Sequence, residues 1–144
     1  MFAPTKKDAI EIGWKLSQDS LISTQKIVYR KYEKLITYEI GINGLPFTEE
    51  YRCFCFKGEI LTYGYYWTIA DKPRNKSDLS KNGYDFACIV AKEASKFANF
   101  YVIDIAQKED GSWILVEINS GCMSGLSDVD PEELYSNLAL CQYI

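Results

Sequence analysis

Asp104, Glu117 and Asn119 are oxygen-bearing side chains carried on two strand-like runs, Phe100–Gln107 and 112–119, joined by Glu109-Asp110-Gly111. Asp-Gly between alternating apolar runs signals a two-residue type I′ turn. With Asp110 and Gly111 at the tip, Asp104 lies directly across from Glu117, and Asn119 follows on the same face. The other face reads Tyr101, Ile103 and Ile105 against Ile114, Val116 and Ile118, a core-like surface. Like charges directly opposed destabilise a sheet by roughly some tenths of a kcal/mol. Setting them among good strand formers points to a cation held between them. Oxygen-only donors suit a hard ion such as Mg²⁺, held by one or two carboxylates together with substrate phosphates. The competing reading is an acidic, solvated sheet face. On the metal reading, removing either carboxylate leaves the fold intact or slightly stabilised, because repulsion is relieved.

The elements that must position these residues form an α+β pattern. Thr5 or Asp8 caps a first helix to about Ser17, with Ile10, Trp14 and Leu16 or Leu21 on its stripe. Residues 26–32 are β-rich. Asn43-Gly44-Leu45-Pro46 reads as a turn or loop. A second hairpin, 49–56 with 59–66, turns at Lys57-Gly58 and opposes Phe54 and Phe56 to Leu61 and Glu59. Residues 70–82 are polar and read as a loop carrying Lys72, Arg74 and Lys76. Residues 84–99 read as a helix with Phe86, Ile89, Val90, Glu93 and Phe97 spaced by three or four. After a Gly/Ser/Asp-rich loop at 121–130, Asp130 and Pro131 open a last helix. With no repeat and no linker, residues 1–144 read as a single domain.

Composition narrows the classes. The 144 residues are 47% apolar and 15% aromatic, which marks a globular chain with a core. A net charge of −4 argues against nucleic acid as a partner. No apolar run approaches the ~20 residues of a membrane span, and the first residues lack the apolar stretch of a signal peptide. The five cysteines include no CxxC and read as reduced thiols of a cytoplasmic protein. The absence of histidine rules out Ser-His and Cys-His nucleophile systems and HExxH zinc sites.

Tyr101-Val102-Ile103-Asp104-Ile105, the Asp-Gly turn, and Trp113-Ile114-Leu115-Val116-Glu117-Ile118-Asn119 with its glycine-containing loop resemble the C-terminal segment of ATP-grasp proteins. Glu50-Tyr51-Arg52-Cys53-Phe54 is similar to the Glu-x-Arg-x-Phe strand of the ATP-grasp branch defined by an arginine and two lysines. The resemblance spans residues 24–140. It implies an ATP-grasp-like α+β fold, an antiparallel sheet with helices on one face. It implies ATP and Mg²⁺ as cofactors, with Asp104, Glu117 and Asn119 as metal ligands. Ile27 to Tyr32 look like the hinge that reads adenine, which makes Arg30, Lys31 and Tyr32 nucleotide-binding candidates, and Glu50 bonds ribose hydroxyls in the family manner. Arg52, sharing a face with Glu50 and a candidate ion-pair partner for it, has the planar fork that suits an acyl-phosphate oxyanion and is the catalytic candidate. The implied activity is an ATP-dependent carboxylate–amine ligase acting on an unidentified carboxylate and amine. The alternatives are a non-catalytic nucleotide- or metal-binding module and an interaction domain. Ser120, Gly121, Ser124 and Gly125 offer a backbone cradle, and Cys122 reads as a bystander thiol. The family's N-terminal substrate domain and most of its lysine-bearing small lobe are expected to be lacking, and a protein partner or a second copy of the chain to complete the site.

Overall fold

A computed structural model describes residues 3, 5–21, 23–24, 26–41, 44–70 and 74–141. Lys72 lies outside the described residues. The chain divides into two compact units, Met1–Tyr32 and Glu33–Ile144.

The first unit holds helix α1, Lys6–Ser17. Its start follows from a capping box: the Thr5 hydroxyl accepts from the Asp8 amide, and the Asp8 carboxylate accepts from the Thr5 amide. Ile10 and Trp14, the expected inward stripe, are exposed, and Gly13 is the helix residue that is buried. Residues 26–32 form neither helix nor strand and are exposed, although their composition is β-rich. Propensity alone does not make a strand.

The second unit begins with a two-stranded sheet that pairs β1 (Thr37–Ile40) with β2 (Pro46–Thr48), where the sequence predicts a turn and its flank. Four further strands follow: β3 (Glu50–Phe56), β4 (Glu59–Tyr65), β5 (Phe100–Gln107) and β6 (Trp113–Ser120). They build the central antiparallel sheet in the order β4-β3-β5-β6. Helix α2, Lys81–Ala94, starts three residues before its expected position because the Ser80 hydroxyl accepts from the Gly83 amide as an N-cap. A single 3-10 turn at Lys76–Asp78 interrupts the loop before it. Helix α3, Pro131–Cys141, is capped by Asp130, whose carboxylate accepts from the Glu132 amide.

The helices of this unit cover opposite faces of the sheet, not one. Ala87, Ala91 and Ala94 of α2 pack against Tyr51, Cys53, Tyr101, Ile103 and Ile105. Leu134 and Leu138 of α3, with Val129, pack against Phe54 and Val102 on the other side. Two burying helices explain why β3 and β5 are buried along almost their whole length. The α+β class and the antiparallel sheet hold. Among the described residues no helix is long and apolar enough to cross a membrane.

Both hairpins differ in detail from their expected registers. Lys57 (φ 49) and Gly58 (φ 93) make the type I′ turn, but Leu61 is an extra residue on β4, so Phe54 faces Thr62. The Asn137 side-chain amide donates to the Leu61 carbonyl, tying this bulge to α3. At the second tip the loop has three residues. The Lys108 amide donates to the Ser112 carbonyl and the Gly111 amide to that of Lys108, with Gly111 at φ 84. That turn shifts the pairing by one residue, and Val116 is then the extra residue on β6 that shifts it back. Asp104 therefore still opposes Glu117. Trp113 and Leu115, not Ile114 and Val116, pack on the α2 face.

Candidate functional site

The α3 side of the sheet is divided. One half is covered by α3; the other carries a transverse row of polar residues on adjacent strands. In register, Gly64 of β4 pairs with Arg52, Arg52 with Asp104, and Asp104 with Glu117. Glu50 and Asn119 share this face two residues away on their strands. Exposure rises along the row. Asp104 is fully buried, Arg52 nearly so, and the Glu117 side chain is 48% exposed on the edge strand.

Arg52 is the centre of the arrangement. Its Nε donates to Asp104 Oδ1 at 2.9 Å and its Nη2 to Oδ2 at 2.7 Å, a bidentate charge-assisted pair. Nη1 donates to the Gly125 carbonyl at 2.9 Å. Nη2 lies 3.7 Å from Glu117 Oε1, and the guanidinium sits 4.7 Å from the centre of the Tyr66 ring. The expected pairing of Arg52 with Glu50 is not formed among these contacts. Glu50 instead accepts from the Thr48 hydroxyl at 2.8 Å, and Thr48 Oγ1 in turn accepts from the Trp67 indole. The Asp104–Glu117 repulsion expected from the sequence is also changed, because a third-strand cation lies against both carboxylates.

Titration behaviour follows from this setting. Burial pushes Glu50 up to about 7, with the Asp104 and Glu117 charges adding to the effect and the Thr48 bond opposing it. Glu117 is raised by partial burial and by the neighbouring Asp104, against the lowering effect of its bond with Asn119.

The loop at 121–130 closes one side of the row. Gly121–Met123 forms a 3-10 turn and the Ser124 hydroxyl donates to the Ser120 carbonyl. The Asp128 amide donates to the Tyr65 carbonyl. A Cβ on Gly64 would lie 2.5 Å from the backbone of Asp128, so only glycine permits this approach. Gly64, Tyr66 and the Gly125 carbonyl join the site without a motif that marks them. An isolated glycine between Tyr63 and Tyr65 in a strand is the signal that points to the close approach. The expected cradle of Ser120, Gly121, Ser124 and Gly125 turns one carbonyl toward Arg52.

The other candidates fall elsewhere. Arg30, Lys31 and Tyr32 lie in the exposed chain of the first unit. Arg74 Nε is 3.2 Å from Glu49 Oε2, and Lys76 bonds both Glu133 oxygens and Thr62. Cys122 is exposed, and all five thiols are free.

An arginine thus answers an acidic pair on the next two strands, with an amide beyond. Comparison with family models agrees with that arrangement. The model of an ATP-grasp domain family, the third family of the clade named for an arginine and two lysines, matches residues 4–138. The chain belongs to this ATP-grasp family. It is therefore an ATP-binding domain of the ligase type. No curated protein matches the chain, and no solved structure does.

The donor chemistry of the row bears on a divalent ion. Asp104, Glu117 and Asn119 offer only oxygen ligands, which suits Mg²⁺. Among the described residues no group of three or more His, Cys, Asp or Glu gathers as a metal cluster, so an ion here would rest on two carboxylates and an amide. Both Asp104 oxygens already accept from Arg52, but each carboxylate oxygen has a second lone pair. The set fits a hard divalent ion, in competition with the guanidinium.

Proposed function

We propose that the polar half of this sheet face binds Mg²⁺ and ATP phosphates and that the domain serves an ATP-dependent carboxylate–amine ligase. The observation that carries the reading is the Arg52–Asp104–Glu117 row with Asn119 beside it. In the proposed reaction the γ-phosphoryl group passes to a substrate carboxylate, and an amine then displaces phosphate from the acyl phosphate. Bound Mg²⁺ would bridge phosphate oxygens and offset their charge. Asp104, Glu117 and Asn119 would hold it. Arg52, its two-pronged donor face matched to oxyanions, would stabilise the negative charge of the transferring group. Glu50 would receive the ribose hydroxyls, and Arg30, Lys31 and Tyr32 would line the adenine. A protein partner or a second copy of the chain would complete the site.

A second reading, a nucleotide- or metal-binding module without turnover, is favoured by one observation. In the structure Arg52 spends Nε and Nη2 on Asp104 and Nη1 on Gly125, which leaves its donor face committed. An interaction domain with a relict site is the third reading. Five free thiols fit a reducing compartment such as the cytoplasm.

Calorimetric titration of ATP with and without Mg²⁺, followed by an ADP assay on mixed carboxylates and amines, separates these. Mg²⁺-dependent binding with ADP release supports the ligase. Binding without ADP supports the module. Absence of ATP binding would overturn both.

A further inference from the structure

Asp104 is completely buried, and a buried carboxylate needs a counter-charge to remain ionised. Arg52 supplies it through both carboxylate oxygens. A divalent ion entering between Asp104, Glu117 and Asn119 would place two more positive charges against the same oxygens. Guanidinium and ion would then repel each other within a few ångströms in a poorly solvated site. The third guanidinium bond goes not to the sheet but to the Gly125 carbonyl of the 121–130 loop. That loop carries a second sign of tension: Ser127, two residues on, is held at φ 55, a left-handed conformation that non-glycine residues seldom adopt without enforcement from their surroundings.

We infer that Arg52 is a resident cation of the carboxylate pair, exchanged for the incoming divalent ion, and that its departure releases the Gly125 carbonyl and loosens residues 124–128. This rests on the metal reading above and adds what that reading lacks: a motion of Arg52 toward the phosphates and a loop that reports occupancy. Arg52 is then unavailable to an oxyanion before the ion binds and available afterwards. The two binding events are thereby ordered. The loop stays joined to the molecule through Val129, which is buried against Phe54 and Val102, so the loosening is confined to the segment next to Arg52.

The test uses the full chain and Mn²⁺ as probe. Electron paramagnetic resonance counts bound Mn²⁺, and hydrogen exchange read by mass spectrometry follows the 124–129 peptide, including the Asp128 amide bonded to Tyr65. The expected result is exchange about tenfold faster in that peptide when Mn²⁺ is bound, with α3 unchanged. Arg52→Gln should show the fast exchange without Mn²⁺ and no further response. Should that variant not fold, the wild-type measurement decides alone. Bound Mn²⁺ with 124–129 exchange unchanged or slower would overturn the exchange and leave the metal reading standing. No bound Mn²⁺ at millimolar concentration would overturn both.

Discussion

On its α2 side the central sheet presents Tyr51, Cys53, Tyr101, Ile103 and Ile105 to an alanine-lined helix. On its α3 side the same two strands present Phe54 and Val102 at one end and Glu50, Arg52 and Asp104 at the other. The alternation of a strand makes both sets from one run of residues. The α2 face is held by burial, which is non-directional and tolerates a change of shape if volume is kept. The polar half of the other face is held by directed bonds among charges, where removing one partner strands the rest. One face can thus be varied without loss of function, whereas in the other stability and function rest on the same atoms.

The largest break in this contrast is Arg52→Met. It leaves Asp104 buried without its counter-charge and should cost about 3–5 kcal/mol in denaturant unfolding. Asp104→Asn should cost less, because Arg52 keeps Gly125 and the nearby Glu117. Both should lose Mg²⁺-dependent nucleotide binding. Equal stability of the Arg52→Met protein and the wild type would mean that the pair contributes nothing to the fold.

Ile103→Ala on the α2 face should cost about 2–4 kcal/mol by leaving a cavity among fully buried neighbours. Nucleotide affinity at a temperature where the variant remains folded should be unchanged. Calorimetry under those conditions checks the separation of the two faces.

Gly64→Ala should cost roughly 1–3 kcal/mol, since the new methyl meets Asp128 backbone at 2.5 Å and the loop must lift. The accompanying sign is faster hydrogen exchange in 124–129 with little change in α2.

Glu50 gives a pH-dependent prediction. Its folded pKa, pushed up to about 7 by burial, exceeds the ordinary carboxylate value near 4.5. The folded state therefore binds more protons than the unfolded state between those values, and stability falls as pH rises through that window. Partly raised Glu117 adds in the same direction. Glu50→Gln should flatten the decline and stabilise the protein at pH 8 by on the order of 1–2 kcal/mol. A wild-type stability curve that rises from pH 5 to pH 7.5 and is unaffected by this substitution would refute it.

The smallest effect belongs to an ion pair outside this comparison of faces. Lys76 and Glu133 meet at 2.6 Å with both side chains more than a third exposed. Lys76→Ala should change stability by about 0–1 kcal/mol, and less in high salt.

Much of the site is legible in the residues alone. The Asp104–Glu117 pairing and Asn119 follow from strand alternation and a turn signal, although the pairing holds through two compensating irregularities, a longer turn and the bulge at Val116. Alternation cannot reveal these, because a one-residue turn extension and a one-residue bulge cancel in the register beyond them. Arg52 is legible as a residue type with a purpose. Its partner is not, since β3 and β5 pair across 52 positions of chain.

The sequence by itself determined the local periods, the capped helices, two hairpins and the residues that meet within one of them. These depend on neighbours a few positions apart, whose geometry the backbone dictates. Tertiary structure alone decided that β3 lies beside β5 and that α2 and α3 take opposite faces. It also decided that Arg52 answers Asp104 and not Glu50, and that Gly64 admits the 121–130 loop. Those outcomes depend on which strands become neighbours and how close backbones approach, quantities set by the packing of the whole sheet.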